Sequence, residues 1–177
     1  MSELLVAPST TQSIDWLSIA NVWTNRLSAQ LRNEVGPSPA LRYLGSHAIV
    51  DPQQALSPRM NCYIDVGQET TLGFSINSND AIALDERSFI EDYGWNLDEA
   101  RIELAVDKWR QSGYAFWLSS GGSDRPPWEL WAMVKLAAGI ADITDGSVIS
   151  MDTHPFDLGV GVFTPLEFDS AKPVPPQ

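Results

Sequence analysis

Apolar residues recur at Trp16, Ala20, Trp23, Leu27 and Leu31, three or four apart, and so share one face of an amphipathic helix. Ser13 is placed to cap that helix and Gly36-Pro37 to close it, because glycine takes the left-handed terminal conformation and proline cannot continue the ladder. A strand is predicted over 41–50, followed by a loop marked by Asp51, Pro52, Ser57 and Pro58. Period-two alternation then governs two runs. Met60, Cys62, Ile64 and Val66 alternate with Asn61, Tyr63 and Asp65; Thr70, Leu72, Phe74 and Ile76 alternate with Thr71, Gly73, Ser75 and Asn77. The connector 67–69 is short enough for an antiparallel hairpin. Alternation of this kind gives a sheet one packed face and one that is wet or meets a partner.

Beyond the acidic stretch 79–95, Asn96 with Glu99 has the spacing of a capping box for a helix reaching Arg110, with Gly113 to end it. Ile102, Ala105, Val106 and Trp109 form its apolar face. Tyr114 to Leu118 predicts a buried strand and 119–123 a loop of serine and glycine. Pro127 suits a first helical turn, and the helix from Trp128 to about Ala141 carries only Glu129 and Lys135 as charges, so it is expected to be buried on most sides. Asp145-Gly146 turns the chain into a strand at Ser147 to Met151, with a short strand over 160–164. Residues 1–12 look like a flexible lead-in and 171–177 like an extended proline-rich tail. Between them, 13–170 is expected to form one α+β domain, with a mainly antiparallel or mixed sheet and helices packed on one face. Strand 114–118, helix 128–141 and strand 147–151 would make a right-handed crossover if the two strands paired in parallel.

Composition narrows the class. The chain has 177 residues and is 44% hydrophobic, enough to bury a single core, which argues against disorder. No apolar run approaches the roughly 18 residues needed to cross a bilayer. One cysteine, Cys62, cannot make an internal disulfide, and no signal-peptide pattern opens the chain, so a cytoplasmic location is the expectation. Against 11 basic residues stand 23 acidic ones, a net charge of −12 that argues against nucleic acid and anionic lipid as partners.

The charge is unevenly placed. Between Asp80 and Asp107 there are nine acids and two bases, and between Lys135 and Lys172 six acids and no base. If these carboxylates converge on one side of the fold, they form a field that steers a basic partner. Seven tryptophans are the other unusual feature, and Trp95 and Trp128 flank the acidic segment and the apolar helix. Tryptophan anchors interfaces because it buries a large area and keeps one polar N–H. The expected partner-binding set is therefore Asp85, Glu86, Glu91, Asp92, Trp95, Asp98, Glu99 and Trp128.

Catalytic and metal constellations are weaker. The run 119–124 lacks the spacing of a P-loop, a dinucleotide fingerprint or a nucleophile elbow. Asp152, His154 and Asp157 could present two carboxylates and an imidazole to a metal, but His47 is the only other histidine and Cys62 stands alone. Cys62 alternates with apolar neighbours and is expected to be a buried small hydrophobe. No catalytic residue, metal or cofactor is expected.

Tyr114 to Leu118, then Leu136 to Asp142 running into Asp145-Gly146-Ser147-Val148-Ile149, resembles the strand, helix, Asp-x-x-Asp-Gly, strand pattern of small acidic immunity proteins of bacterial toxin systems. The resemblance implies a stoichiometric inhibitor of a cognate toxin and carries no binding residue across. The leading expectation is a non-enzymatic acidic module that binds a basic toxin or effector. The alternatives are a small-ligand-binding protein or hydrolase using the 119–124 loop and the 152–157 segment, and a subunit of a homo-oligomer joined through the apolar helix 128–141.

Overall fold

The computed structural model describes residues 2–66, 70–79, 88, 98–121, 126–151 and 159–170. Seven strands, β1 (Ser2–Ala7), β2 (Ala40–Tyr43), β3 (Asn61–Val66), β4 (Thr70–Ser78), β5 (Tyr114–Ser120), β6 (Ser147–Ser150) and β7 (Gly161–Phe163), make one sheet in the order β2-β3-β4-β5-β1-β6-β7. Every neighbouring pair is antiparallel. Five helices accompany it among the described residues: α1 (Trp16–Arg26), α2 (Ala29–Val35), α3 (Glu99–Ser112), α4 (Pro127–Ile143) and α5 (Pro165–Asp169). The architecture is a single α+β domain with an antiparallel sheet, as the pattern of elements predicts.

The residues expected to form a lead-in instead supply the sheet's interior. β1 lies between β5 and β6, and Leu4, Leu5, Val6 and Ala7 have no exposure at all. Both faces of β1 are covered, so its side chains form a continuous apolar run with no alternation to reveal it. This placement also changes the expected crossover. β5 and β6 run in the same direction, but β1 sits between them and pairs with both.

Alternate residues of β1 point into two cores. Leu4 and Val6 join Leu72, Phe74, Phe116 and Leu118 in the larger one, closed by Trp16, Ile19 and Trp23 of α1, by α4, and by Phe168 of α5. Leu5 and Ala7 join Ala115, Ile149 and Val162 in the smaller one, closed by Ile102, Ala105, Val106 and Trp109 of α3. Helices on one face is thus right for α1, α2, α4 and α5, while α3 covers part of the other. β5 takes part in both cores, which is why Tyr114 to Leu118 is apolar without a gap.

The uniform apolarity of α4 has an explanation inside one copy of the chain. α1, α2 and α5 pack on it and the sheet lies beneath it, leaving Ala132, Met133, Val134, Leu136, Ala137 and Ile140 with no exposure. Of its apolar residues over 128–141, only Trp128 and Trp131 keep partial exposure. The Trp23 indole N–H donates to the Ala132 carbonyl at 2.8 Å, and the Trp16 indole N–H to the Pro39 carbonyl at 3.1 Å, so both tryptophans satisfy their polar atom within the core.

Local departures have local causes. The predicted helix 13–35 is two helices, because Leu27 is extended and the Ser28 hydroxyl caps α2 by accepting from the Leu31 N–H at 3.3 Å. Asp15, not Ser13, caps α1. Its carboxylate accepts from the Ser18 N–H at 2.7 Å, a bond that lowers its pKa. Asp98 caps α3, whose far end is closed by Gly113 at φ +77°; Asn96 lies outside the described residues. The strand predicted over 41–50 is β2 alone, after which 44–47 turn and 48–50 fold back along its edge, with Tyr43 donating to the Ala48 carbonyl and Val50 to that of Leu41. β6 and β7 match their expected strands, and the hairpin β3-β4 pairs as predicted. The tail 171–177 is outside the described residues.

Candidate functional site

On the face that α3 shares, the helix lies over β1, β5 and β7, while β2, β3 and β4 present the polar half of their alternation. Strand register lines those side chains up in rows across the sheet. One row runs Arg42, Tyr63, Gly73, Ser119; the next runs Asn61, Ser75, Trp117, Leu5. Gly73 leaves a gap in the first row. A Cβ added there would lie 2.2 Å from the Ser119 hydroxyl oxygen, so the serine already occupies the space a side chain would need. Around this gap lies a trough of about 590 Å³, open to solvent on one side, with Asn61, Tyr63 and Thr71 along it and Trp117, Ser119 and Gly121 at its β5 side.

His47 stands at the β2 end of the trough and is held at three points. Its N–H donates to the Tyr43 carbonyl at 2.9 Å, its carbonyl accepts from Arg42 at 3.0 Å, and its Nδ1 lies 3.2 Å from the Tyr63 hydroxyl. The two rings meet edge to face with centroids 5.9 Å apart. His47 sits in the left-handed region at φ +56°, which histidine, like asparagine and aspartate, enters more readily than most non-glycine residues. Arg42 also pairs with Asp65 at 3.0 Å, so the nearest charges neutralise each other. On the opposite wall, the half-buried Trp117 packs against the smaller core, which fixes its indole as a rigid surface.

The trough gathers part of what the sequence pointed to. The wet or partner-facing side of the hairpin is its floor, and Ser119 and Gly121 from the 119–124 loop are on its wall. Gly122, Ser123, Asp124 and the whole 152–157 segment, with Asp152, His154 and Asp157, lie outside the described residues. Cys62 is on the packed side, 2% exposed, and burial raises its thiol pKa. Sequence reasoning passed over His47, Tyr63, Asn61 and Ser75 as site residues. Their available signal was a glycine in mid-strand among hydroxyl and amide residues of one alternation.

Among the described residues the two acidic zones differ in how their carboxylates are placed. In the second zone every described acid is paired with a base from elsewhere in the chain. Asp142 meets Arg26 at 2.6 Å, Asp145 meets Lys108 at 3.8 Å, Glu167 meets Arg101 at 2.8 Å, and Asp169 meets Lys135 at 3.2 Å. A stretch without one base in the sequence is therefore locally compensated in the fold. In the first zone, α3 turns Glu99, Glu103 and Asp107 outward four residues apart, with Asp98 at its cap. Asp85, Glu86, Glu91, Asp92 and Trp95 lie outside the described residues. Trp128, in the first turn of α4, is half-buried against the larger core, so the sheet separates it from Asp98 and Glu99.

Among the described residues no group of three or more histidine, cysteine, aspartate or glutamate side chains has the geometry to hold a metal. Among them, too, no helix is long and apolar enough to cross a membrane. No known family, no curated protein and no solved structure matches the chain.

Proposed function

We propose that this chain is a non-enzymatic binding protein and that the trough across β3, β4 and β5 receives a small ligand. The observation that carries the reading is the trough around Gly73, framed by the hydrogen-bonding groups of Tyr63, Asn61, Ser75 and Ser119 and walled by the Trp117 indole. A volume of about 590 Å³ falls within the range of roughly 300–1,000 Å³ typical of small-molecule sites, and a few convergent polar groups beside aromatic surface are what such sites use for orientation. The walls stand on strands paired on both sides, so the site is preformed and little ordering has to be offset on binding.

The test is a fragment screen followed by amide NMR on the full chain. Binding that perturbs Gly73, Ser119 and the Trp117 indole together supports the reading. Hits that map elsewhere, or none at all, count against it.

A second reading keeps the immunity-type inhibitor, an acidic module that meets a basic toxin or effector. The outward row Glu99, Glu103 and Asp107, with Asp98, favours it. Association with such a partner would slow as salt screens the attraction over a Debye length of about 10 Å at 0.1 M. Pull-down from the native host and titration at two ionic strengths test it, and substituting those acids by their amides should reproduce the effect of salt.

A further inference from the structure

We infer that the ligand of the trough is a neutral, hydroxyl-rich ring, a saccharide in chemical class; this rests on the reading of the trough as a small-ligand site. The argument is one of matching donors and acceptors. Ser75, Ser119, Thr71 and the Tyr63 phenol each carry a hydroxyl that both donates and accepts, and the Asn61 amide does both through separate atoms. Among the described residues the lining contains no carboxylate, ammonium or guanidinium. A charged ligand would lose hydration there without gaining a counter-charge, because the adjacent Arg42 and Asp65 are already paired at 3.0 Å. An anion would meet a further obstacle in the chain's net charge of −12.

Hydroxyl groups on a ligand are the chemistry that uses such a lining fully, since each can answer a donor or an acceptor without leaving a buried polar atom unsatisfied. The aromatic surfaces complete the match. Trp117, braced by the smaller core, and Tyr63, braced by His47, offer flat apolar area to the C–H faces of a sugar ring. The place a Gly73 side chain would take is held by the Ser119 hydroxyl, which sets a donor and acceptor next to Tyr63 in the same row.

The experiment titrates the full-length chain, amide- and indole-labelled, with two probe sets: glucose, galactose and N-acetylglucosamine with their di- and trisaccharides, and the aromatic heterocycles indole and adenosine. Saturable shifts from at least one saccharide, focused on Gly73, Ser119 and the Trp117 indole, are expected. Trp117→Ala should then weaken binding roughly tenfold or more. Because that substitution also touches the smaller core, Asn61→Ala at an exposed position serves as the second variant, and it should weaken binding as well while leaving the spectrum otherwise native. If the heterocycles shift the trough and no saccharide does, the saccharide assignment falls and the ligand site stands. If neither set shifts it, or saccharides shift only residues outside it, both fall.

Discussion

Glu167 offers a quantitative check on how this fold compensates its acids. Its carboxylate accepts from both terminal nitrogens of Arg101, at 2.8 and 3.0 Å, and from the Thr164 N–H at 2.9 Å, closing a capping box on α5. The Arg101 hydrogen bonds, followed by that of the Thr164 backbone, hold its pKa at about 2 against an ordinary 4.5. At face value such a shift corresponds to ~3 kcal/mol. Arg101 and Glu167 are 44% and 39% exposed, however, so solvent screening brings the expected contribution down to about 1 kcal/mol. Glu167→Gln isolates the charge, because glutamine also serves at this position of a capping box. The native pKa is depressed, so the stabilisation is complete above pH 4.5 and is lost as pH falls toward 2. In urea melts at neutral pH the variant should unfold at a midpoint lower by about 0.5 M, for a slope of roughly 2 kcal/mol per molar. The gap should narrow below pH 4.5 and close near pH 2. A gap that persists undiminished at pH 2, or no gap at pH 7, would refute the assignment of that stability to the ion pair.

Other expectations follow from the same geometry. Removing residues 2–8 should abolish the cooperative melt seen by circular dichroism, whereas loss of a mere leader would leave it unchanged. Phe168→Ala, at a site with no exposure, should lower stability by about 3–5 kcal/mol in chemical denaturation. Gly73→Ala should displace the Ser119 hydroxyl and reduce ligand-induced shifts in the trough, with a stability change below about 1 kcal/mol because a serine rotamer can yield; unchanged ligand response would remove Gly73 from the site. Cys62, buried among apolar neighbours with a raised pKa, should react with a thiol reagent only at the rate of unfolding, and rapid labelling of the native chain would contradict its placement.

What could be read in advance was whatever repeats with a period. The hairpin β3-β4, α3 with its Gly113 terminus, and α4 with Pro127 in its first turn follow from alternation, helical spacing and turn chemistry, all local signals. β1 escaped because Leu4, Leu5, Val6 and Ala7 are covered on both faces, and burial on both faces erases the alternation that marks a strand. The break at Leu27-Ser28 escaped because apolar spacing continues through it and only the Ser28 cap records the change of direction. The trough was half legible. Its polar floor was recognisable as a side facing water or a partner, but the register that sets Gly73 beside Ser119 depends on pairing between strands distant in sequence. The pairing of the second zone's described acids was hidden for a similar reason, since Arg26, Arg101 and Lys108 reach their carboxylates only after the chain has folded back on itself.

The position of β1 also sets an order of events. β1 leaves the ribosome before the two strands it docks between, which lie more than 100 positions downstream. Until those strands exist, the apolar run Leu4 to Ala7 has no strand edge to dock on. Connections this remote in sequence slow the search for the native state and lengthen the interval in which a nascent chain is open to self-association. A nascent chain carrying β1 therefore needs shelter until β5 and β6 have been made.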